Sequence, residues 1–199
     1  MDKLQNEKDD FALDGLHICY TLGAGIICLS ETNTNWNQSY QITRVHNIAK
    51  DIWQTSAIQP SQHPESFSSQ SQRGGTLQIL TDRWVSRLQA KGVDPYGLGR
   101  WSYMTLQGKG NRLITAITAY RVCKPSIDGT GDTTAYQQQF RSILSSYNDK
   151  GMYNTPEPHR QFVLDLQSWI EHLQIQGHSI IHSLDGNEDI TSSAPAFHP

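Results

Sequence analysis

Gly25–Trp36 reads GIICLSETNTNW. Ile26, Ile27, Cys28 and Leu29 form a short apolar run without polar alternation, the pattern of a strand buried on both faces. The spacing predicts that strand over Gly25–Ser30. Glu31 stands at its C-terminal end, ahead of a string of turn formers. A carboxylate in that position needs a partner, because a buried charge left alone costs several kcal/mol.

The segments on either side extend the pattern. Phe11, Ile18 and Leu22 share one helical stripe, with Leu16 and Cys19 beside it. This predicts a helix over about residues 8–22, with Gly15 as its weak point and Gly23 and Gly25 ending it. Downstream, Tyr40, Val45, Ile48, Ala49 and Ile52 predict a second helix over 38–53. The stretch PSQHPESFSSQSQRGG, Pro60–Gly75, is rich in Ser, Gln and Pro and reads as a mobile surface loop, centred on residues 59–74. Three strands follow: Thr76–Leu80, Trp101–Gly108 and Arg112–Tyr120. The last two are joined by Gly108-Lys109-Gly110-Asn111, good hairpin chemistry. VDPYGLG and KPSIDGTGD read as loops. Phe140, Ile143, Leu144 and Tyr147 mark a helix at i, i+3, i+4, i+7. Phe162, Leu166, Trp169 and Leu173 mark another, Pro158–Gln176, with prolines at its entrance and Gly177 at its exit. A short strand, Ser179–Leu184, runs into the acidic turn Asp185–Asp189, and residues 190–199 read as a frayed tail. Strands enclosed by helices indicate an α/β layered domain.

Composition narrows the classes. The 199 residues are 36% hydrophobic and 18% charged, with a net charge of −3. That balance argues against a protein that merely coats a polyanion, but a metal site can supply positive charge locally. The polar start MDKLQNEKDD is unlike a signal peptide, and no apolar run approaches the roughly 20 residues of a membrane span. A soluble, intracellular protein is expected. Cys19, Cys28 and Cys123 form no CxxC and read as free thiols in a reducing compartment. The eight histidines form no compact zinc motif. His178 and His182 lie four apart on a predicted strand, too far apart for one ion.

Three features lie at predicted strand ends, where α/β sheets gather functional side chains: Glu31 after IICLS, Tyr120 after ITA, and Asp185 with Asn187 after IIHSL. Each alone has a plainer reading. Glu31 can cap its loop, Tyr120 can be a rim aromatic, and Asp185-Gly186-Asn187 is ordinary turn chemistry. Together they suggest a hard cation and a phosphate. Magnesium takes oxygen ligands and keeps waters, so one or two carboxylates suffice. A metal held there would stabilise charge on a phosphate, and Tyr120 could hydrogen-bond a phosphate oxygen.

With these residues in view, IICLSETNTNW, RGGTLQIL, LITAITAYRV and IIHSLDGNED resemble, in order and spacing, the motifs of the endonuclease/exonuclease/phosphatase superfamily. The resemblance covers about Phe11 to Asp189, and its flavour is closest to retrotransposon endonuclease domains. It implies a four-layered α/β sandwich, two mixed sheets face to face and flanked by helices, that hydrolyses phosphoesters with Mg²⁺ or Mn²⁺. Carried over by match, Glu31 binds the metal, Tyr120 contacts the phosphate, Asp185 orients or activates water, and Asn187 holds the phosphate. The expected function is a DNA endonuclease of a non-LTR retroelement, part of a larger polyprotein with reverse transcriptase. The alternatives are an inactive remnant of such a domain, or a phosphoesterase acting on a lipid or nucleotide.

The sequence departs from the family pattern in three places. Asn6 is a poor substitute for the family's first-strand Asn. His198 follows Phe rather than the family's Asp. Cys123 stands where an Asn often follows the central Tyr. Residues 1–199 are therefore expected to be a partial domain, cut short at both ends, marginal alone and prone to associate.

Overall fold

The computed structural model describes residues 14–65, 68–123, 131 and 133–187. Asn6, His198, the tail and most of KPSIDGTGD lie outside them. Helical residues 14–21 form α1. Then come β1 (Ile26–Ser30), α2 (Ser39–Ile52), β2 (Ser56–Ser61), β3 (Thr76–Thr81), β4 (Leu88–Val93), β5 (Trp101–Gln107), β6 (Leu113–Tyr120), α3 (Ala135–Asp149), α4 (Pro158–Ile175) and β7 (His178–Asp185). No described helix is long and apolar enough to cross a membrane.

Two sheets build the centre, in the orders β1-β3-β2 and β4-β5-β6-β7. The first is antiparallel throughout, so only the second is mixed, through its parallel β6–β7 pair. A parallel pair needs a long crossover, and residues 121–177 supply it with α3 and α4. Four layers result. α2 covers one face of the first sheet, where Ala49 packs with Ile27, Ile58, Leu77 and Ile79. α4 covers the outer face of the second, where Phe162 and Leu166 meet Trp101, Ile117 and Ala119. The inner faces meet through Leu80, Met104 and Leu106.

This inner layer is partly polar. Gln78, fully buried, donates from Nε2 to Thr118 Oγ1 (2.8 Å) and to the Ala116 carbonyl (3.1 Å) of the opposite sheet. Thr76 Oγ1 donates to Ser102 Oγ at 3.0 Å. Such bonds have directions that apolar contacts lack, so they fix how one sheet sits on the other.

β2 and β4 were not anticipated. β2 carries Pro60 and β4 carries Lys91, Gly92 and a register shift between Leu88 and Ala90. Both are edge strands, and these are devices that blunt an edge while erasing the strand pattern. The Ser/Gln/Pro-rich connection therefore starts after Ser61, and its described part is tied down. Asn35 N donates to Gln70 O, and Asn35 Nδ2 to Ser69 O. The α1 stripe also differs from expectation. Leu16 is buried and Cys19 packs on the core, while Ile18 and Leu22 face solvent.

One buried ionic cluster fixes the start of β5. Arg100, with no exposed surface, donates from Nε to Asp94 Oδ2 at 2.6 Å and from Nη1 to Asp165 Oδ2 of α4 at 2.7 Å. Its guanidinium lies 4.7 Å from the Trp101 ring centroid, a cation–π contact. The Arg100 carbonyl accepts from Tyr120 N at 2.9 Å. The cluster thus anchors the end of β6.

Candidate active site

β1, β6 and β7 finish at one end of the sandwich. Tyr120 and Asp185 are register partners in the parallel β6–β7 pair, so their side chains leave the same face. Thr118, two residues before Tyr120, bonds to β3, which identifies that face as the inner one, turned toward the first sheet. From the first sheet, Ser30 at the end of β1 reaches across. Its Oγ donates to Asp185 Oδ2 at 3.4 Å. Glu31 is the next residue.

The turn after β1 has a defined shape. Glu31 and Asn33 both adopt φ near +50°. For Asn this is common, but for Glu it is uncommon and costs roughly 1 kcal/mol. The turn lets Thr32 N and Asn33 N donate to the carbonyls of Gly75 and Gly74, while Gly74 N donates back to Asn33 Oδ1 at 2.9 Å. Gly74 has φ +85°, and a Cβ there would stand 3.3 Å from Tyr120 Cε1. Thr32 Oγ1 accepts from Trp36 Nε1 at 2.9 Å, so the ETNTNW turn is closed on its own tryptophan.

The electrostatics follow from this meeting of strand ends. Tyr120 is buried, and its phenol is held well above the usual range for tyrosine. Burial is the main cause, followed by the charge of Glu31, the hydrogen-bonded Cys123 thiol, and Asp185. The phenol therefore stays protonated and able to donate at neutral pH. Glu31 and Asp185 both act on this one hydroxyl, and neither has an ion-pair partner among the described residues. Two carboxylates without an ion-pair partner are an oxygen-only donor set, which suits a hard divalent cation. No group of three or more His, Cys, Asp or Glu side chains is gathered for a metal among the described residues. A cation there would complete its shell with water, as magnesium does.

The Asp185-Gly186-Asn187 turn is braced against the exit of β6. Arg121 N donates to Asp185 O (2.9 Å), Arg121 Nε to Gly186 O (2.7 Å), and Asn187 Nδ2 to Arg121 O (2.6 Å). Asn187 thus spends one amide hydrogen on the backbone and retains the other. Its φ is +46°, and its own N–H donates to Asp185 Oδ1 at 3.3 Å. Sequence reasoning did not single out Arg121 or Ser30. Their signal was only adjacency to Tyr120 and Glu31, since each works through a contact more than 60 residues away. An apolar cleft of about 350 Å³ between α4 and β7, lined by Phe162, Leu166, Ile170 and Leu184, lies on the opposite face of the second sheet. Arg121 and Gly186 also line it, whereas Glu31, Tyr120, Asp185 and Asn187 do not.

No protein-family model matches the chain, and no curated protein sequence matches it. Among solved structures, the human Nocturnin catalytic domain with bound sulfate anion is similar. The match covers 92% of this chain and 58% of that one, at 12% identity and a TM-score of 0.47. The chain thus spans less than two thirds of the length of that structure. The site described above stands on its own geometry.

Proposed function

We propose that this chain belongs to a metal-dependent phosphodiesterase, and that its substrate is DNA, cut as an endonuclease of a non-LTR retroelement cuts its target. One observation carries the reading: Ser30, next to Glu31 at the end of β1, donates to Asp185 Oδ2 at 3.4 Å, and Asp185 is the register partner of Tyr120, so the three strand ends meet. Asp94 and Asp165 are ion-paired with Arg100. Glu31 and Asp185 have no ion-pair partner among the described residues, which leaves both available to a cation.

Each residue has a task that its surroundings allow. Glu31 would hold the cation, and Asp185 would share it or direct a water. Mg²⁺, when bound, supplies the positive charge that steadies the phosphate. Tyr120, kept neutral, donates to a non-bridging phosphate oxygen. Asp185 accepts a proton from the attacking water, and the Ser30 hydroxyl at 3.4 Å keeps its carboxylate turned inward. Asn187 offers its remaining amide hydrogen to the phosphate. Gly74, lying against Tyr120 without a Cβ, lets the chain pass close to that ring.

The test is nicking of supercoiled plasmid by the full chain with Mg²⁺, beside Glu31→Gln and Asp185→Asn. The wild type is expected to nick, and each variant to lose activity by about 100-fold or more. Variants as active as the wild type would end the proposal. Cleavage of phospholipid or nucleotide substrates instead of plasmid would move the substrate while leaving the site.

A further inference from the structure

A second cavity, of about 200 Å³, opens where residues 69–73 meet the start of α3. It is lined by Ser69, Ser71, Gln72, Arg73, Thr133 and Gln138. Every lining side chain is polar and one carries a positive charge. Arg73 is exposed and makes no hydrogen bond or ion pair with any described residue. α3 begins at Ala135, with the Thr134 side chain accepting from Gln137 N.

Gln72 adds an independent feature. It is 4% exposed, and its Nε2 donates to His63 O (2.9 Å) and Gln138 Oε1 (3.0 Å). Both partners are acceptors, so the amide orientation is settled and Oε1 faces away from them. That oxygen is buried and finds no donor. The cavity wall therefore presents an arginine and hydroxyls suited to an anion, beside an acceptor that lacks a donor. A phosphodiester, which has no P–OH, would serve the first and leave the second to a donor elsewhere on the same ligand. A lipid surface would want an apolar rim, which the lining does not provide.

The cavity borders the candidate active site. Gly74 follows Arg73 directly, and a Cβ on it would stand 3.2 Å from Ala135 Cβ and 3.3 Å from Tyr120 Cε1. Gly74 thus lies between Ala135 and Tyr120, one residue after Arg73.

We infer that this cavity is a subsite for the nucleotide unit next to the phosphodiester being cut. Arg73 takes its phosphate, and Gln72 takes a hydrogen bond from an N–H of its base. The word "next" rests on the phosphodiesterase reading, whereas the binding chemistry does not. Ser71 and Thr133 hydroxyls complete the phosphate's shell. Arg73 does not touch the reacting atoms; it sets where the strand lies.

The experiment is binding of a fluorescein-labelled single-stranded hexadeoxynucleotide to the full chain, by anisotropy, in EDTA and over a range of salt. Arg73→Gln is expected to weaken binding about tenfold and to lower the slope of log K against log salt by about 0.7, the effect of one lost phosphate contact on a single strand. Arg73→Lys should restore the slope. Tripolyphosphate should compete less well than unlabelled hexanucleotide. The inference is overturned if wild type and Arg73→Gln bind alike with equal slopes, if neither binds, or if tripolyphosphate competes equally. If plasmid nicking proceeds while Arg73→Gln binds like wild type, the subsite fails and the hydrolase stands. If the strand binds through Arg73 to a chain that nicks nothing, the subsite stands and the hydrolase fails.

Discussion

Two pairs of carboxylates in this protein live under opposite conditions. Asp94 and Asp165 are buried and clamped on one guanidinium. Arg100 reaches Asp94 at 2.6 Å and Asp165 at 2.7 Å, and Asp165 also accepts from Gln161 Nε2 at 2.7 Å. Glu31 and Asp185 sit at open strand ends, with no ion-pair partner among the described residues. The first pair is saturated and joins loop, strand and helix. The second is left wanting charge, and it is the second that chemistry can use. A carboxylate's role here is read from what already satisfies it, more than from its identity.

The contrast can be broken most forcefully at the saturated pair. Replacing Arg100 with Leu would strand two buried acids, and the expected loss is about 3–5 kcal/mol of stability, measured by urea unfolding. A loss under about 1 kcal/mol would mean that these acids are as indifferent to pairing as those of the strand ends.

The open pair should answer differently. In metal-free buffer, Glu31→Gln and Asp185→Asn are each expected to stay within about 1 kcal/mol of the parent, because no ion pair is lost. Added Mg²⁺ should raise the melting temperature of the parent and leave both variants unmoved, by linkage to binding. A large loss without metal would place these residues among the structural acids.

The smallest effects concern pH. Burial, partly opposed by Glu65, holds His63 below its ordinary value of 6.5. The unfolded chain therefore takes up that proton first, so the stability from this group is present above pH 6.5 and lost as pH falls below it. His63→Gln should flatten this acid limb. Tyr120 is shifted the other way, above its ordinary 10. Its contribution is present below pH 10 and is lost as pH rises beyond it, and Tyr120→Phe should flatten that alkaline limb. Thermal melts across pH 5–11 check both, and unchanged limbs would separate these groups from stability.

Much of the layering was legible because buried strands and helix stripes leave strong local patterns. IICLS, TLQIL and LITAITAY lie in β1, β3 and β6 as expected, and Phe162, Leu166 and Leu173 do face the core of α4. The edge strands were not legible, since SAIQPS and LQAKGV carry the residues that discourage strand pairing. The α1 stripe misled because a short helix at the margin of a core buries only part of an apolar face. Of the candidate site, the strand-end residues were visible one at a time. Their meeting depends on the β6–β7 register and on the Ser30–Asp185 contact across 155 residues. The Arg100 cluster was invisible for the same reason, because Asp165 lies 65 residues from its partner.

The pairing of Tyr120 with Asp185 also imposes a parity on evolution. Side chains alternate along a ladder, so one residue inserted within 179–184 would turn the Asp185 carboxylate outward into the α4 layer, while two would return it to the inner face. The same single insertion between Ser61 and Gln70 would lengthen a surface connection and disturb no rung. Drift in length is therefore open to one part of the chain and closed, in odd steps, to the other.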